Sequence, residues 1–300
     1  MKRLRVSVLI LTKNEEANLP GCLKALRWCD DVVLLDSGST DRTLAIAREH
    51  GARVLEHPFE TFADQRNFGL EHGELKHEWV LHIDADEIVT EALAARLAGL
   101  SPGAGIDAYR VPSKTMFFGR WLRRAGMYPA YQVRLGHRER LRFREVGHGQ
   151  REALPPEKIA TLDEPYLHYS FSRGLGDWLA RHVRYAAAES AVIVEARRSA
   201  ERVSLAWALK DRTTRRRWLK SLSHRTPIFA RPAMRFAYVY FLRRGFLEGS
   251  RGFLYAFMLS VYEGMIAILL AEQLWREGAA GARSRTRALA GAPVRGASRS

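Results

Sequence analysis

Residues 6–16 read VSVLILTKNEE, an apolar run that ends abruptly in polar residues. The run Val6–Leu11 has the length of a buried strand and is too short for the apolar core of a signal peptide. The same pattern returns at Val32–Leu35, which DSGS follows, and at Trp79–Ile83, which DADE follows. Strands that are apolar on both sides are typical of parallel sheets covered on both faces. The opening stretch therefore predicts a parallel sheet.

Helical patterns separate these runs. We predict helices at Ala17–Trp28, Thr43–His50 and Asp64–His72, with a short strand at Arg53–Leu55. The alternation of strand and helix predicts an α/β fold with a doubly wound, mostly parallel sheet. Ligands bind such sheets at the carboxyl ends of the strands, where the three polar clusters stand. We therefore expect the functional site at that edge.

Composition narrows the class of protein. A hydrophobic content of 47% and seven Trp in 300 residues exclude a disordered chain. Residues 1–195 are neutral, with 27 basic and 27 acidic residues, whereas residues 196–300 hold 21 basic and 6 acidic ones. This asymmetry predicts that a polyanionic surface, nucleic acid or anionic lipid, meets the C-terminal third. Cys22 and Cys29 have no metal or disulfide spacing, and reduced thiols suit a cytoplasmic protein.

The C-terminal third contains a nineteen-residue apolar run at residues 253–271, with Glu263 as its one charge. Three interpretations stay open: a spanning helix, a helix on the membrane surface, and a buried or dimer-forming helix. A set of arginines with a neighbouring tryptophan fits an interfacial surface, although it also fits a solvated basic face. Its members are Arg215–Arg217, Trp218, Arg231, Arg235, Arg243 and Arg244. We predict four regions: the first half of the sheet domain at 1–110, its second half with a connecting helix at 111–225, a membrane-associating helical segment at 226–277, and a disordered basic tail at 278–300.

Asp84-Ala85-Asp86 is the sharpest motif. Alternate residues of an extended turn present both carboxylates to one side. Mg²⁺ or Mn²⁺ binds few carboxylates together with substrate phosphates, and such an ion assists the departure of a nucleoside diphosphate. A solvated turn is the alternative interpretation of the motif by itself, but its position after a buried strand favours a metal site.

The polar stretch after the second strand, DSGSTD, also has two interpretations. Asp36 can accept hydrogen bonds from a nucleoside, or the stretch is a well-capped loop in which Gly38 permits a tight turn. Arg66 can direct its guanidinium to a base or a diphosphate, or it is a surface arginine.

The series VSVLILTKNEE, VVLLDSGSTDRT, ADQRNFGL and WVLHIDADE resembles the family 2 glycosyltransferases, which are inverting enzymes with a GT-A fold. Later stretches, FFGRWLRRAGMYPAYQVRL and LHYSF, resemble the bacterial branch that acts on lipopolysaccharide core and other cell-envelope glycans. The resemblance implies a nucleotide-sugar pocket and a metal at Asp86, with Asp84 at the ribose or the metal. It implies that the nucleoside pocket is lined by Thr12, Asn14, Glu15, Asp36 and Arg66. Many relatives carry paired aspartates where this chain has Asp36-Ser37.

An inverting transfer also needs a general base beside the acceptor hydroxyl. Relatives often have His followed by Glu or Asp near residues 146–150, whereas here glycine follows His148. Glu152 and His148 are equal candidates for the base, with Glu145 behind them. The expected acceptor-site residues are Tyr128, Tyr131, Gln132 and Arg134. His168-Tyr169-Ser170 is shared with the envelope branch, but we assign it no role.

We therefore predict an inverting glycosyltransferase, peripheral on the cytoplasmic face of the inner membrane. It would move a sugar from a nucleotide-sugar, with UDP-sugars favoured, to a lipid-linked or lipopolysaccharide core acceptor. Residues 1–110 would be the nucleotide-sugar-binding half of the domain and residues 111–225 the acceptor-binding half. The basic C-terminal third would contact the anionic membrane, and a homo-oligomer is open. A metal-dependent nucleotidyltransferase is the alternative enzyme, but the loop Thr12–Glu16 is acidic and lacks glycine. A nucleic-acid-binding protein is the other alternative, but no recognised motif supports it.

Overall fold

The computed structural model describes residues 4–146, 149–198 and 227–290, with the backbone alone at 196–198 and 278–290. The strands are β1 Val6–Thr12, β2 Val32–Asp36, β3 Arg53–Glu56, β4 Trp79–Asp84, β5 Glu87–Val89, β6 Ala108–Phe117, β7 Arg120–Trp121, β8 Ala130–His137, β9 Phe143–Val146, β10 Gly149–Glu152, β11 Ile159–Thr161 and β12 Tyr166–His168. The helices are α1 Leu19–Lys24, α2 Thr43–Glu49, α3 Phe62–His72, α4 Glu91–Ala98, α5 Gly174–Arg198, α6 Arg231–Ala237 and α7 Gly249–Ala290. Short helical turns lie at Pro156–Lys158, Ile228–Ala230, Tyr238–Leu242 and Gly245–Glu248.

The main sheet has the order β3-β2-β1-β4-β8-β6-β12-β5, and β11 and β7 also pair with β6. The first four strands are parallel, β8 runs antiparallel to β4 and β6, and β12 is parallel to β6. In the register, Thr12 pairs with Asp36 and Leu11 with Asp84, so three carboxyl ends are level. The predicted α/β class and the mostly parallel sheet are confirmed.

Alternate residues of β1 pack on opposite faces of this sheet. Val8 and Ile10 join the apolar cluster of α1, which includes Leu19 and Leu23. Leu9 packs on the other face, where Gly69 of α3 lies so close that an added Cβ would be 2.5 Å from Leu9 Cδ2. Both faces of the strand are therefore covered by helices, which is why its sequence is continuously apolar.

The predicted and observed element boundaries differ most at α1. We predicted a helix at Ala17–Trp28, and the structure has only Leu19–Lys24, followed by turns. Pro20 and Gly21 have low helix propensity, and the N–H of Ala25 already bonds the carbonyls of the last turn. The apolar spacing was preserved through the turns, since Leu26 is also buried. The pattern therefore identified the buried face but extended the helix too far.

The chain divides into two compact units, residues 1–181 with 237–256, and residues 182–236 with 257–300. The first unit contains the sheet. In the second unit Ile193 of α5 packs with Ile266 and Leu270 of α7. Glu263, the one charge in the apolar run, is ion-paired with Arg231 at 2.8 Å. The acidic interruption of the run is therefore neutralised within the second unit.

By length and composition, one helical stretch in the described chain, Gly245–Glu277, could cross a membrane, with a mean hydropathy of 1.9. The predicted helical C-terminal region is confirmed. From Gly278, however, α7 continues to Ala290, where we predicted a disordered tail. The alanines and arginines of this stretch have high helix propensity, which accounts for the difference. Residues 291–300 and Arg215–Arg217 lie outside the described residues.

Candidate active site

The loop after β2 is organised by Asp36. One carboxylate oxygen accepts hydrogen bonds from Thr12 Oγ1 at 3.0 Å and Ser39 Oγ at 2.5 Å, and the other from the N–H groups of Gly38 and Ser39. Gly38 has φ +85°, a conformation that glycine adopts without strain. Asp36 is 0% exposed. The structure thus shows the loop-organising role that we left open for Asp36, and contact with a nucleoside stays a prediction.

Hydrogen bonds connect the loop after β1 to the loop after β2. Asn14 has φ +55°, which asparagine tolerates better than most residues, and its Oδ1 accepts the N–H of Thr40 at 2.8 Å. The N–H of Glu15 donates to Thr43 Oγ1 at 2.8 Å, and Glu15 Oε1 lies 3.2 Å from Arg173 Nη1. The structure therefore brings Thr12, Asn14 and Glu15 together with Asp36, as the resemblance implies.

At the end of β4, two arginines hold Asp84. Arg66 Nη2 donates to Oδ1 at 2.8 Å, and Arg134 Nη2 donates to Oδ2 at 3.0 Å. Burial by itself raises the pKa of Asp84, but the charges of Arg134 and Arg66 outweigh it and hold the pKa well below its usual range. Asp84 is thus ionised and engaged by a guanidinium group at each oxygen, and its contact with a metal or a ribose stays a prediction.

Arg134 lies inside this network. It is 3% exposed, Nη2 also contacts Glu87 Oε1, and Nε donates to the Tyr166 hydroxyl at 3.3 Å. We predicted that Arg134 contacts the acceptor. The structure buries its guanidinium in ion pairs with Asp84 and Glu87, and contact with the acceptor stays a prediction.

Asp86 faces a histidine from a distant part of the chain. β12 pairs antiparallel with β5, and this register sets His168 opposite Glu87. His168 Nε2 lies 3.5 Å from Asp86 Oδ2, and the two side chains are 29% and 19% exposed. Burial lowers the pKa of His168, but the hydrogen bond and charge of Asp86 outweigh this and raise the pKa to about 9. An acid and an imidazole therefore converge at the sheet edge.

This pair fits a divalent cation. No set of three or more His, Cys, Asp and Glu side chains in the described ranges is arranged to hold a metal by itself. A carboxylate and an imidazole are both suitable ligands for Mn²⁺, and ions of this kind commonly complete their coordination with substrate phosphates and water. Of the two predicted metal residues, Asp86 fits this role, with His168 beside it.

Two buried side chains near Asp84 have polar atoms without hydrogen-bond partners among the described residues: Nε and Nη1 of Arg66, and both ring nitrogens of His82. Phe143 packs against both, with its centroid 5.8 Å from the Arg66 guanidinium carbon and 5.1 Å from the His82 ring. Burial and the neighbouring arginines lower the pKa of His82, so its ring is neutral. Arg66 thus has spare donors, which a bound ligand or water would satisfy.

The other predicted acceptor residues lie at the start of β8. Tyr131 is 41% exposed, Gln132 is exposed, and Tyr128 is half-buried against Trp121 with ring centroids 5.0 Å apart. The hydroxyl of Tyr166 donates to Gln132 Oε1 at 3.4 Å. Because Tyr166 also contacts Arg134, Gln132 is connected to the network that holds Asp84.

The candidates for the general base lie on the β9–β10 hairpin. Glu152 pairs with Phe143 in the register, so the two side chains share one face of the hairpin, and Phe143 contacts Arg66 and His82 on that face. Glu145 is exposed. His148 lies outside the described residues. The structure therefore directs Glu152 toward the side of the sheet that carries Arg66.

Three residues at this site were not predicted from sequence: Glu87, Tyr166 and His168. Glu87 follows the DAD motif directly and is 0% exposed, which an acidic residue reaches only with partners. Tyr166 and His168 belong to the LHYSF stretch, which the resemblance had marked without a role. Their signal was present in the sequence, but only the pairing of β12 with β5 and β6 shows their position.

Comparison with known proteins identifies a family match for part of the chain. The model of glycosyl transferase family 2 matches residues 7–147. The chain is 30% identical over 161 residues to the lipopolysaccharide core biosynthesis glycosyltransferase LpsC of Rhizobium meliloti, which covers 52% of this chain and 58% of LpsC. It is 32% identical over 106 residues to an uncharacterized glycosyltransferase of Rickettsia bellii, which covers 35% of each. The matched stretches thus span 58% of LpsC and 35% of the Rickettsia relative, which is less than two thirds of either protein.

Among solved structures, it is similar to glucosyl-3-phosphoglycerate synthase of Mycobacterium tuberculosis, with 19% identity, 64% and 80% of the two chains covered and a TM-score of 0.44. A complex of that enzyme with Mn²⁺, UDP-glucose and phosphoglyceric acid gives 21% identity, coverage of 58% and 74%, and a TM-score of 0.40. The family match spans β1 to β9, including the DAD motif. Residues 7–147 are therefore a family 2 glycosyl transferase domain.

Proposed function

We propose that this chain is a metal-dependent inverting glycosyltransferase that uses a nucleotide-sugar, with UDP-sugars favoured. One observation carries the proposal: Asp86, inside the family 2 match, faces His168 at 3.5 Å on the sheet edge where β1, β2 and β4 also end. In doubly wound sheets this edge binds ligands. The acceptor that we propose is a lipid-linked glycan or a lipopolysaccharide core intermediate, in line with the similarity to LpsC.

Asp86 and His168 would hold Mg²⁺ or Mn²⁺. The cation, when bound, supplies positive charge to the departing diphosphate. Asp84 would act beside them through the two arginines that it orients, Arg66 and Arg134. This division of roles follows from the contacts, since both oxygens of Asp84 are occupied by guanidinium groups and Asp86 faces a side chain that can itself bind metal.

The donor would lie along the loops after β1 and β2. Thr12, Asn14 and Glu15 line this part of the edge, and Asp36 keeps the second loop in place. Arg66 has two N–H-bearing nitrogens without partners in the described chain, and a phosphate or ribose oxygen would satisfy them. Binding there would relieve the cost of a buried donor that makes no hydrogen bond, about 1–3 kcal/mol.

The acceptor hydroxyl would attack the anomeric carbon while the bond from that carbon to the diphosphate breaks. The hydroxyl proton passes to a general base, for which Glu152 and His148 remain the two candidates. Tyr131 and Gln132 would position the acceptor, because they are exposed beside Tyr166 and the Asp84 network. Inversion follows from a single displacement on the face opposite the leaving group.

A lipid-linked acceptor implies contact with a membrane, and we place the protein at the cytoplasmic side of the inner membrane. The helical stretch Gly245–Glu277 is long and apolar enough for membrane contact, and 28% of its most apolar window is buried within the structure. Leu247, Ile268 and Trp275 are 57%, 65% and 75% exposed. Together with the basic excess after residue 195, this composition favours an anionic lipid surface. A second copy of the chain is the alternative occupant.

The test is calorimetric titration of the full chain with UDP, with and without Mn²⁺. We expect metal-dependent binding in the wild type and its loss in Asp86→Ala. Asp163→Ala is the matched control, because Asp163 is an exposed loop aspartate between β11 and β12. GDP and CDP follow if UDP does not bind. Absence of binding by every nucleoside diphosphate would refute the proposal.

A further inference from the structure

A cavity of about 560 Å³ lies in the first unit between the loop after β7 and the segment before α7. Its walls combine two aromatic side chains with four arginines: Trp121, Tyr128, Arg123, Arg124, Arg243 and Arg244. None of the described side chains that line it is acidic. Four cations around one cavity repel one another unless an anion joins them, so the wall composition points to a negatively charged ligand.

The contacts that hold the two walls together are made to backbone groups, so they do not pair the arginines with acidic side chains. Both oxygens of the Glu248 carboxylate accept backbone N–H groups, from Arg124 at 3.0 Å and Ala125 at 2.9 Å. Arg243 Nη2 donates to the carbonyl of Tyr128 at 3.2 Å. The nearest acidic residue of the segment is therefore committed to backbone groups, and the cavity is a built feature of the fold.

Two hydrogen-bond donors in the walls are buried and have no partner in the described chain, Nε of Arg243 and Nε1 of Trp121. Native proteins leave few such donors, and those that remain call for a ligand or a water. Lys114 and Arg123 lie over the Trp121 ring, with Nζ 4.5 Å and the guanidinium carbon 5.8 Å from its centroid. One of the unpaired donors, Trp121 Nε1, thus belongs to a ring that two cationic side chains contact.

We propose that this cavity binds a phosphate group carried by the acceptor. Guanidinium groups match the oxygens of phosphate in a planar, two-pronged geometry, and an indole N–H adds a further donor. Leu242 also lines the cavity and is 74% exposed, and Leu247 follows at 57%. An apolar rim beside a cationic cavity suits a phosphate that is attached to a lipid. The anion site stands independently, whereas its assignment to the acceptor rests on the proposed function.

The cavity is also near the transfer site. Thr115 of β6 is paired with His168 of β12, and its carbonyl accepts the N–H of Leu122, which adjoins Trp121. Two inter-strand spacings, about 10 Å in all, therefore separate the backbone at His168 from the backbone at the cavity wall. One acceptor molecule can thus place its phosphate in the cavity and a sugar hydroxyl at the site of transfer.

The experiment titrates the full chain, without nucleotide or metal, with inorganic phosphate and with phosphatidylcholine vesicles that contain or lack phosphatidic acid. The variants are Arg124→Gln, which keeps the backbone bond to Glu248, and Trp121→Phe, which keeps the ring but removes its donor. Arg48→Gln on the exposed face of α2 is the control for charge. We expect wild-type binding to phosphate and to phosphatidic acid vesicles, and losses of about tenfold or more in both variants only.

Unchanged phosphate binding in both variants, an equal loss in Arg48→Gln, or no binding by the wild type would overturn the anion site. Binding of inorganic phosphate without any preference for phosphatidic acid vesicles would overturn the assignment to a lipid-borne phosphate. Metal-dependent UDP binding is measured on the same variants and should be unchanged. If it is absent in the wild type while phosphate binding follows the expected pattern, the proposed function fails and the anion site stands.

Discussion

Replacing Arg134 by methionine would test whether the ion pairs under the end of β4 hold the site together. Arg134 is 3% exposed, and its Nη2 contacts Asp84 at 3.0 Å and Glu87 more closely still. Methionine fills much of the same volume with a flexible apolar chain, so the main loss is the charge. Glu87, at 0% exposed, is then left in the interior without its cation.

Removing one partner of a buried ion pair costs about 3–5 kcal/mol. Burial already raises the pKa of Glu87 to about 7 against the opposing charge of Arg134. Without Arg134 the carboxyl group takes up a proton at neutral pH, which limits the cost to the lower end, about 3 kcal/mol. For a unit of this size, 1 kcal/mol moves the unfolding midpoint by roughly 2–4 °C, so we expect a fall of about 6–12 °C.

The assay is thermal unfolding at pH 7, followed by circular dichroism. Arg42→Met is the control, because Arg42 and Glu49 are 72% and 60% exposed and 3.8 Å apart, and its effect should stay within about 0.5 kcal/mol. Adding Glu87→Gln to Arg134→Met removes the group left without its partner and should recover part of the lost stability. A midpoint in Arg134→Met equal to that of the control, or no recovery in the double variant, would refute the reasoning.

Three further results are expected. His168→Ala should weaken Mn²⁺-dependent UDP binding by at least about tenfold while leaving the unfolding midpoint nearly unchanged, and calorimetry showing equal affinity would remove His168 from the metal site. Gly69→Ala should lower the free energy of unfolding by about 1–3 kcal/mol, because its Cβ would lie 2.5 Å from Leu9 Cδ2; an unchanged urea midpoint would contradict this packing. Burial raises the pKa of Cys22, and raises that of Cys29 to about 11, so neither thiol should react rapidly with Ellman's reagent at pH 8 until urea is added.

The parallel half of the sheet could be predicted from sequence because its signals are local. Three of its four strands, β1, β2 and β4, are short apolar runs that each end at a polar cluster, so Asp36 and Asp84 could be assigned to one edge from the sequence. The helix at α1 was extended too far because apolar spacing continues through the turns to Leu26. Periodicity reports burial, and burial does not require a helix.

The rest of the site depends on pairings between distant residues. His168 reaches Asp86 only because β12 lies between β5 and β6, and no periodic pattern specifies that neighbour relation. Arginine is a residue type expected at an acceptor contact, yet Arg134 is buried because it forms ion pairs with Asp84 and Glu87. Local sequence thus indicated which residue types matter, and tertiary pairing decided which of them share a contact.

The position of β12 has a consequence for how the site is made. The family match ends at residue 147, before His168, so a fragment cut at that boundary would keep Asp86 without its facing imidazole. During synthesis the N-terminal strands can form first, since domains tend to fold as they leave the ribosome. The pair that we propose for the metal, however, is complete only after the chain has grown past residue 168 and β12 has entered between β5 and β6. If the proposed metal site is correct, the growing chain cannot bind the cation until β12 is in place.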